Sequence, residues 1–356
     1  MRAVRYHGTR DVRVEEIEPP EVRPGTVKVA PEWCGICGSD VHEYLAGPET
    51  IPTAGNPHPI TGEAAPIVLG HEFAGRVVEV GAGVTGVAVG DPVAIEPIIR
   101  DTTCRYCQNG DYNYCPSIGF HGLSGGGGGL AEFTVVPEYM VHRLPDSLPT
   151  DIGALIEPLA VGWHAVRRAE FEPGQTALVV GAGPIGLVTL LALKDAGASF
   201  VAVAELSPAR KLKAEQMGAD LVLDPSVDDV VGIIQARTAS GPGGPGADVT
   251  FDASGHQATL TLALQAVRKR GRVVNIALWE HPATIDMFQF LFTEASLTSS
   301  CAYANDHAAV IDALASGRID ASPLITKRIE LEQVVSEGFE SLATSRDRDV
   351  KILVRP

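Results

Sequence analysis

The chain has 356 residues, a length that favours two domains over a single core. Hydrophobic residues make up 45% of it and charged residues 20%, as is usual for globular proteins. The net charge of −16, from 28 basic and 44 acidic residues, argues against nucleic acids and anionic membranes as partners. The N-terminus lacks a signal-peptide pattern, and no apolar run approaches the roughly 20 residues that span a bilayer, so we expect a cytoplasmic protein.

Residues 1–152 are predicted to form a β-rich domain. Short runs of strand-forming residues alternate there with Gly, Pro and Asp, which favour turns. The predicted strands are residues 26–30, 73–80, 91–95 and 131–136. Residues 47–63 are rich in proline and residues 119–129 in glycine, so both are predicted to be irregular loops.

A catalytic zinc site is predicted from a thiol, an imidazole and carboxylates that lie within this domain or just after it in the chain. Cys37 and His71 are the expected first ligands. Glu72 and Glu157 compete for the remaining role: one would bind the ion directly while the other holds its bound water. Such a site keeps one position open for a substrate oxygen and lowers the pKa of a bound alcohol to near neutrality. Hydride can then leave the carbon for a nicotinamide, and Glu157 is also a candidate catalytic residue.

Three side chains close to Cys37 are candidates for supporting roles. Asp40 suits an acceptor for the ring N–H of His71, outside the set of ligands. Ser39 and His42 suit a relay that carries the alcohol proton outward, and they are candidate catalytic residues. Six further histidines have no companions at useful spacing and are expected in surface or loop positions: His7, His58, His142, His256, His281 and His307.

Residues 101–115 have the ligand spacing of a second, structural zinc site. Asp101, Cys104 and Cys107 are separated by two residues each, and Cys115 follows after seven more. Short steps let one loop wrap a tetrahedral ion, and zinc accepts carboxylate oxygen as well as thiolate. Six cysteines without a secretion signal favour metal ligands over disulfides. We call residues 101–115 the lobe. Because aspartate is a weaker ligand than thiolate for such a soft site, the sequence is compatible both with a lobe that binds zinc and with a loop that is empty.

Residues 153–292 are predicted to form a doubly wound parallel sheet. Apolar strands alternate with helices, which is the pattern of an α/β domain. The predicted strands are residues 176–180, 200–204, 248–251 and 272–277, and the predicted helices are residues 185–194 and 209–217. Residues 293–356 are expected to return to the first domain and complete it with a strand at residues 349–354.

A glycine-rich turn after the first of these strands predicts a nicotinamide dinucleotide site. Its glycines let backbone amides approach the pyrophosphate, and the following helix N-terminus adds positive potential. Glu205, 19 residues past Gly186, would accept hydrogen bonds from ribose hydroxyls and repel a 2′-phosphate, so NAD is expected over NADP. Arg210 weakens this preference because arginine can accommodate that phosphate. The candidate cofactor residues are Gly181, Gly183, Pro184, Ile185, Gly186, Glu205, Arg210, Ser254, Gly255, Ala277 and Leu278.

Together these motifs closely resemble those of the zinc-dependent medium-chain alcohol dehydrogenases. The likeness covers nearly the whole chain and rests on residues 37–42, 70–72, 101–115 and 181–186. The members most similar to it are those that oxidise 2,3-butanediol, on the basis of residues 55–63, 122–129 and 156–162. The resemblance implies an α/β protein with a GroES-like catalytic domain and a Rossmann domain, assembled as a homodimer or homotetramer. Asp101 departs from the family pattern, in which a cysteine is common.

The resemblance also implies an activity, the reversible, zinc-dependent and NAD-linked oxidation of a secondary alcohol in a vicinal diol. The expected pairs are 2,3-butanediol with acetoin, and acetoin with diacetyl. A sorbitol-type polyol dehydrogenase or an L-threonine dehydrogenase would share this chemistry in a different pocket. A redox sensor that binds NAD without turnover is the alternative from another class, and the intact ligand set argues against it.

Overall fold

The protein, seen in a computed structural model, is described over residues 1–344 and 349–356. These residues form two compact units. The first comprises Met1–Glu157, His307–Ala315 and Ile325–Pro356, and the second comprises Pro158–Asp306 and Ser316–Leu324. The predicted combination of a β-rich architecture and a parallel α/β architecture is confirmed.

Strands and helices follow one another along the described chain. The strands are β1 (Arg2–Gly8), β2 (Asp11–Glu16), β3 (Thr26–Gly35), β4 (Ile67–Val68), β5 (Glu72–Val80), β6 (Pro92–Ile95), β7 (Ile98–Ile99), β8 (Gly119–Phe120), β9 (Thr134–Pro137), β10 (Val141–Arg143), β11 (Thr176–Val180), β12 (Phe200–Ala204), β13 (Leu221–Leu223), β14 (Ala247–Asp252), β15 (Val267–Asn275), β16 (Ser296–Ser299), β17 (Ile325–Glu330) and β18 (Lys351–Arg355). The α-helices are α1 (Gly38–Ala46), α2 (Arg105–Gln108), α3 (Thr150–Gly153), α4 (Ile156–Arg168), α5 (Pro184–Asp195), α6 (Pro208–Gln216), α7 (Val230–Thr238), α8 (Gln257–Ala266), α9 (Met287–Thr293), α10 (His307–Ala315) and α11 (Glu340–Thr344). Among the described residues, no helix is both long enough and apolar enough to cross a membrane.

The first unit is built around a seven-stranded sheet. Its strands run in the order β10-β6-β5-β3-β18-β17, and β9 also pairs with β3. Alternate residues along the first part of β3 are buried, among them Val27 and Val29, as expected for a strand with one face on the core. A second sheet has the order β2-β1-β4, and β7 pairs with β8. The predicted C-terminal strand is β18, which pairs antiparallel with β3.

The second unit is a parallel six-stranded sheet with helices between its strands. The order β13-β12-β11-β14-β15-β16 is the 3-2-1-4-5-6 order of dinucleotide-binding sheets. β11 and β12 are nearly continuous apolar runs because central parallel strands are buried on both faces. α5 begins at Pro184 directly after Gly183, since proline suits the first helical position. The turn from β11 to α5 therefore lies at the carboxyl end of a central strand.

The structure differs from the predicted domain boundaries at residues 152 and 292. β16 pairs in parallel with β15, so the sheet of the second unit continues past residue 292 and the unit reaches Asp306. The first boundary falls after Glu157. β16 has the sequence Ser-Leu-Thr-Ser and is largely exposed at the sheet edge. It therefore lacks the apolar run by which buried strands are recognised.

Candidate metal and cofactor sites

The pairing of β3 with β5 brings the predicted catalytic ligands together. Cys37 follows β3 as the N-cap of α1, and His71 immediately precedes β5. The antiparallel register places Gly35 opposite Glu72. A Cβ at Gly35 would lie 2.2 Å from Glu72 Oε2, so glycine is needed for this close approach. Ligand atoms of Cys37, His71 and Glu72 lie within 4.8 Å of one another.

Negative charge surrounds the imidazole of this cluster. Burial lowers the pKa of His71, but the charges of Asp40 and Cys37 outweigh burial and raise that pKa well above its usual value. Asp40 Oδ1 lies 3.5 Å from His71 Nδ1, while Asp40 Oδ2 accepts a hydrogen bond from the Cys37 amide at 2.9 Å. Asp40 therefore faces the ring nitrogen that does not face Ser39. Because it stabilises a cationic ring, this environment also suits a metal cation.

Lys351 is a member of the site that the sequence reasoning missed. Its Nζ donates to both carboxylate oxygens of Glu72, at 2.7 and 2.6 Å, and to the Ile36 carbonyl at 3.3 Å. Both charged side chains are buried. Burial lowers the pKa of Lys351, but the charges of Glu72 and Cys37 outweigh burial and raise it. The available signal was a single lysine at the start of an otherwise apolar strand, β18.

Glu157 occupies a different position from Glu72. It is buried in the first turn of α4. Within the described residues, it is outside the group formed by Cys37, His71 and Glu72, although its charge contributes to the raised pKa of Lys351. Of the two glutamates, Glu72 is therefore the one grouped with Cys37 and His71. Glu157 is close enough to Lys351 for its charge to affect that lysine.

The two candidate relay residues lie one turn apart on α1. Ser39 Oγ is 3.5 Å from His71 Nε2, at the long end of the hydrogen-bond range. His42 lies three residues further on, which places it on the same side of the helix. The His42 side chain is 33% exposed and its Nε2 lies 3.0 Å from Glu49 Oε2. Of these two side chains, Ser39 is therefore the one beside His71, and His42 is partly exposed to solvent.

The predicted lobe brings its four side chains into one cluster. Ligand atoms of Asp101, Cys104, Cys107 and Cys115 lie within 4.8 Å of one another. Asp101 Oδ1 accepts hydrogen bonds from the Thr103 and Cys104 amides, both at 2.8 Å. These bonds lower the pKa of the Asp101 carboxyl and orient it. Burial and the neighbouring Cys104 and Cys115 thiols raise the pKa of Cys107 to about 12, so this thiol would ionise near neutral pH only beside a cation.

The glycine turn between β11 and α5 is closely packed at two of its glycines and open at the third. Gly181 has a φ of 102°, which favours glycine, and a Cβ at Gly186 would lie 1.9 Å from the Gly181 carbonyl oxygen. A Cβ at Gly183 would approach Arg210 Nη1 at 3.8 Å and no other described atom within 4 Å. Gly183 therefore faces open space at the N-terminus of α5, where Pro184 and Ile185 form the first turn.

Glu205 is held against the glycine turn by backbone amides. Its Oε2 accepts from the Ala182 amide at 2.7 Å, and its Oε1 accepts from the Leu206 and Ser207 amides at 2.8 Å. These three bonds fix the carboxylate at the end of β12. Arg210 lies on the next helix, α6, with its guanidinium near Gly183.

The secondary cofactor candidates also lie beside this turn. A Cβ at Gly181 would lie 2.2 Å from Ser254 Oγ, so the serine contacts the turn directly. Gly255 has a φ of 72°, and a Cβ there would lie 2.4 Å from the Leu278 carbonyl and 3.2 Å from Ala277 Cβ. The ends of β14 and β15 are thus close together, at the same edge of the sheet as the glycine turn.

The interpretation of the other histidines as isolated is wrong for His142 and His307, whereas His58 lies in a loop as expected. His58 is buried, and its Nδ1 accepts from the Ile60 and Thr61 amides at 3.3 Å. His142 and His307 come together with Glu96, although the three are far apart in the sequence. Spacing in the sequence does not reveal such a cluster, because each member belongs to a different element.

Known proteins match the chain over its length. The alcohol dehydrogenase GroES-like domain family matches residues 23–146, and the zinc-binding dehydrogenase family matches residues 184–316. An (R,R)-butanediol dehydrogenase of Bacillus subtilis is 44% identical over 357 residues and covers 100% of both chains. The sorbitol dehydrogenase of Homo sapiens is 38% identical over 94% of this chain and 90% of its own. The crystal structure of 2R,3R-butanediol dehydrogenase from Bacillus subtilis has a TM-score of 0.93 and 43% identity, covering 100% of this chain and 99% of its own.

A sheet with the strand order of dinucleotide-binding domains and two cysteine-containing groups of potential metal ligands in one chain are typical of a metal-dependent dehydrogenase. With the family matches and the identity to relatives, the chain belongs to the zinc-dependent medium-chain alcohol dehydrogenase family. It is an oxidoreductase that uses zinc and a nicotinamide dinucleotide. The expectation of a GroES-like domain and a Rossmann domain is confirmed.

Proposed function

We propose that this enzyme oxidises a vicinal diol reversibly, with zinc and NAD, interconverting 2,3-butanediol and acetoin, and acetoin and diacetyl. The cluster of half-buried Cys37 with buried His71 and Glu72 carries the proposal. A thiolate, an imidazole and a carboxylate suit zinc and leave a fourth position for a substrate oxygen. The substrate class is supported by a relative named (R,R)-butanediol dehydrogenase that is 44% identical over the full length of both chains.

Zinc in this cluster would supply Lewis-acid polarisation of the substrate hydroxyl, and the nicotinamide would accept hydride. We assign Cys37, His71 and Glu72 as the ligands and Glu157 to the bound water. Lys351 donates to both oxygens of Glu72, so it offsets the buried negative charge of that carboxylate.

The proton of the substrate hydroxyl needs a route to solvent, and α1 supplies one. Asp40 orients the imidazole of His71 through the Nδ1 side. Ser39 Oγ would accept the proton and pass it to His42, which stands one turn along the helix and is partly exposed. The relay therefore consists of a hydroxyl inside and an imidazole at the surface.

A substrate panel tests the proposal. NADH formation should be measured with (R,R)-butanediol, sorbitol and L-threonine, before and after treatment with a zinc chelator. We expect the highest kcat/KM for (R,R)-butanediol and loss of activity after chelation. A preference for sorbitol or threonine would instead identify a polyol or threonine dehydrogenase that uses the same zinc and cofactor chemistry. NAD binding with no chelator-sensitive turnover of any alcohol would favour the redox-sensor alternative.

For the cofactor, the position of Glu205 supports NAD over NADP. Its carboxylate is fixed by three backbone amides at the end of β12, where the adenosine ribose binds in sheets of this order. A 2′-phosphate there would face a negative charge. Arg210 lies near Gly183, so its positive charge is also available to the pyrophosphate at the helix N-terminus.

Removing the charge of Glu205 should weaken the preference for NAD. Glu205→Gln retains an acceptor for the Ala182 amide but removes the repulsion, so we expect the ratio of kcat/KM for NAD over NADP to fall about tenfold, equivalent to ~1.4 kcal/mol. Glu215→Gln, an exposed glutamate on α6, is the matched control and should leave the ratio unchanged. Full retention of the preference would mean that Glu205 is not the ribose acceptor.

Zinc is also proposed in the lobe, with Asp101, Cys104, Cys107 and Cys115 as its ligands. Four protein ligands leave no open position, so the ion would be structural. The fixed carboxylate of Asp101 and the convergence of the four ligand atoms within 4.8 Å support a bound cation. Because these thiolates and Cys37 must stay reduced, we also propose a cytoplasmic location.

A homodimer or homotetramer is proposed from an apolar surface on the second unit. Met287, Phe288, Leu291 and Phe292 of α9 are each 63–74% exposed. β16 stands at the end of the parallel sheet, so its outer edge offers backbone groups to another chain. Light scattering of the purified enzyme should give twice or four times the mass of one chain. A monomeric mass at micromolar concentration would contradict the assignment.

A further inference from the structure

A third group of metal-ligating side chains lies in the first unit, apart from the catalytic cluster and the lobe. It consists of Glu96, His142 and His307. Glu96 follows β6, His142 belongs to β10, and His307 is the first residue of α10. The pairing of β6 with β10 places His142 opposite Ala94, and the Glu96 amide donates to the Met140 carbonyl at 2.8 Å. The strand register therefore holds Glu96 beside His142.

Distances within this group are close to those of a metal site. Glu96 Oε2 lies 2.7 Å from His142 Nε2 and 3.8 Å from His307 Nδ1, and all three ligand atoms fall within 4.8 Å. In a tetrahedral site with bonds of about 2.1 Å, neighbouring ligand atoms are about 3.4 Å apart. The two rings are stacked, with centroids 4.8 Å apart and planes 20° apart. Because the lone pair of an imidazole nitrogen lies in the plane of its ring, one ring must turn out of this stack for both nitrogens to face one ion beside Glu96.

The surroundings orient these ligands and leave an entry route. Tyr112 donates its hydroxyl to Glu96 Oε1, so the carboxylate is fixed through its other oxygen. Glu96 and His307 are buried, whereas the side chain of His142 is 26% exposed. An ion could reach the group past His142, and a water could complete its coordination from that side.

We propose that Glu96, His142 and His307 form an auxiliary site for a divalent transition ion, with Zn²⁺ as the first candidate. Two imidazoles and one carboxylate suit Zn²⁺, Co²⁺ and Ni²⁺, and none of the ligands is a thiolate. Binding would require His142 Nε2, which now faces Glu96 Oε2, to present its lone pair to the ion, so the ring proton would be held on Nδ1. The ion would tie β6, β10 and α10 together, and its role would be structural because it shares no ligand with the catalytic cluster.

Cobalt binding to the intact wild-type enzyme tests the site directly. Cobalt in the catalytic cluster or the lobe produces a thiolate charge-transfer band, because both contain cysteine. Cobalt held by Glu96 and the two histidines adds visible d–d absorption without that band. We expect one equivalent of cobalt per chain that binds without raising the thiolate band. If every bound equivalent raises that band, the three residues form only a hydrogen-bonded cluster and the proposal fails.

Variants locate the ion. After equilibration with buffered zinc, His142→Asn should contain one zinc per chain fewer than wild type by mass spectrometry, and should keep its alcohol turnover. His281→Asn, an exposed histidine of the second unit, is the matched control and should retain the wild-type zinc content. Equal zinc in both variants and wild type would overturn the assignment. Should His142→Asn fail to fold, the cobalt spectrum of wild type still decides.

Discussion

Turnover should fall on the order of a thousandfold or more when Cys37 is replaced by serine. The hydroxyl is a poor substitute for a thiolate that ligates zinc, and the Lewis-acid contribution of such an ion is several kcal/mol. Zinc content should fall by one per chain, while the lobe around Cys104 keeps its ion. NADH binding should persist, because the glycine turn and Glu205 belong to the second unit. Kinetics, metal analysis and NADH fluorescence measure these three results.

Cys301→Ser is the matched control for that experiment. Cys301 is exposed and belongs to neither thiolate cluster among the described residues. We expect its turnover and zinc content to equal those of wild type. A Cys37→Ser enzyme with wild-type zinc and turnover would remove Cys37 from the ligand set, and with it the proposed mechanism.

Lys351→Met should be strongly destabilising, with a loss of about 3–5 kcal/mol in the free energy of unfolding. The substitution leaves Glu72 buried without the ammonium that now donates to both of its oxygens. The pKa of Lys351 is raised above its usual 10.5, so the pair's contribution is complete below that pH and declines only as pH rises through the raised value. Urea unfolding should therefore show a constant difference from wild type between neutral pH and pH about 9.

An exposed ion pair provides the matched control. Lys194 and Asp220 are 3.1 Å apart, with side chains 34% and 37% exposed, so Lys194→Met should cost less than about 1 kcal/mol. Combining Lys351→Met with Glu72→Gln removes both buried charges and should recover part of the lost stability. Equal losses for Lys351→Met and Lys194→Met would show that the buried pair is not a major contributor.

The sequence predicted the proximity of residues best where they belong to short, continuous segments. The lobe ligands Asp101 to Cys115 occupy one loop, so their spacing limits where their side chains can lie. The turn from Gly181 to Gly186 joins one strand to one helix, and its shape follows from the glycines themselves. Residue spacing is therefore a sufficient guide in both cases.

Edges and weakly patterned elements were less predictable. β16 is short, exposed and rich in hydroxyl side chains, so its sequence does not show that the sheet continues past residue 292. The pairing of a strand with its neighbour, rather than its own composition, makes it part of the sheet. Composition alone could not assign residues 293–306 to the second unit.

By itself, the sequence determined that this chain combines a β-rich domain with a parallel α/β domain, and it predicted two groups of metal ligands, one of them around Cys37 and His71. Only the tertiary structure revealed that Lys351 donates to Glu72 across 279 residues of chain, and that Glu96 meets two distant histidines. The physical reason is the same for both. Strand register and helix packing bring such side chains together, and register depends on partners far away in the chain.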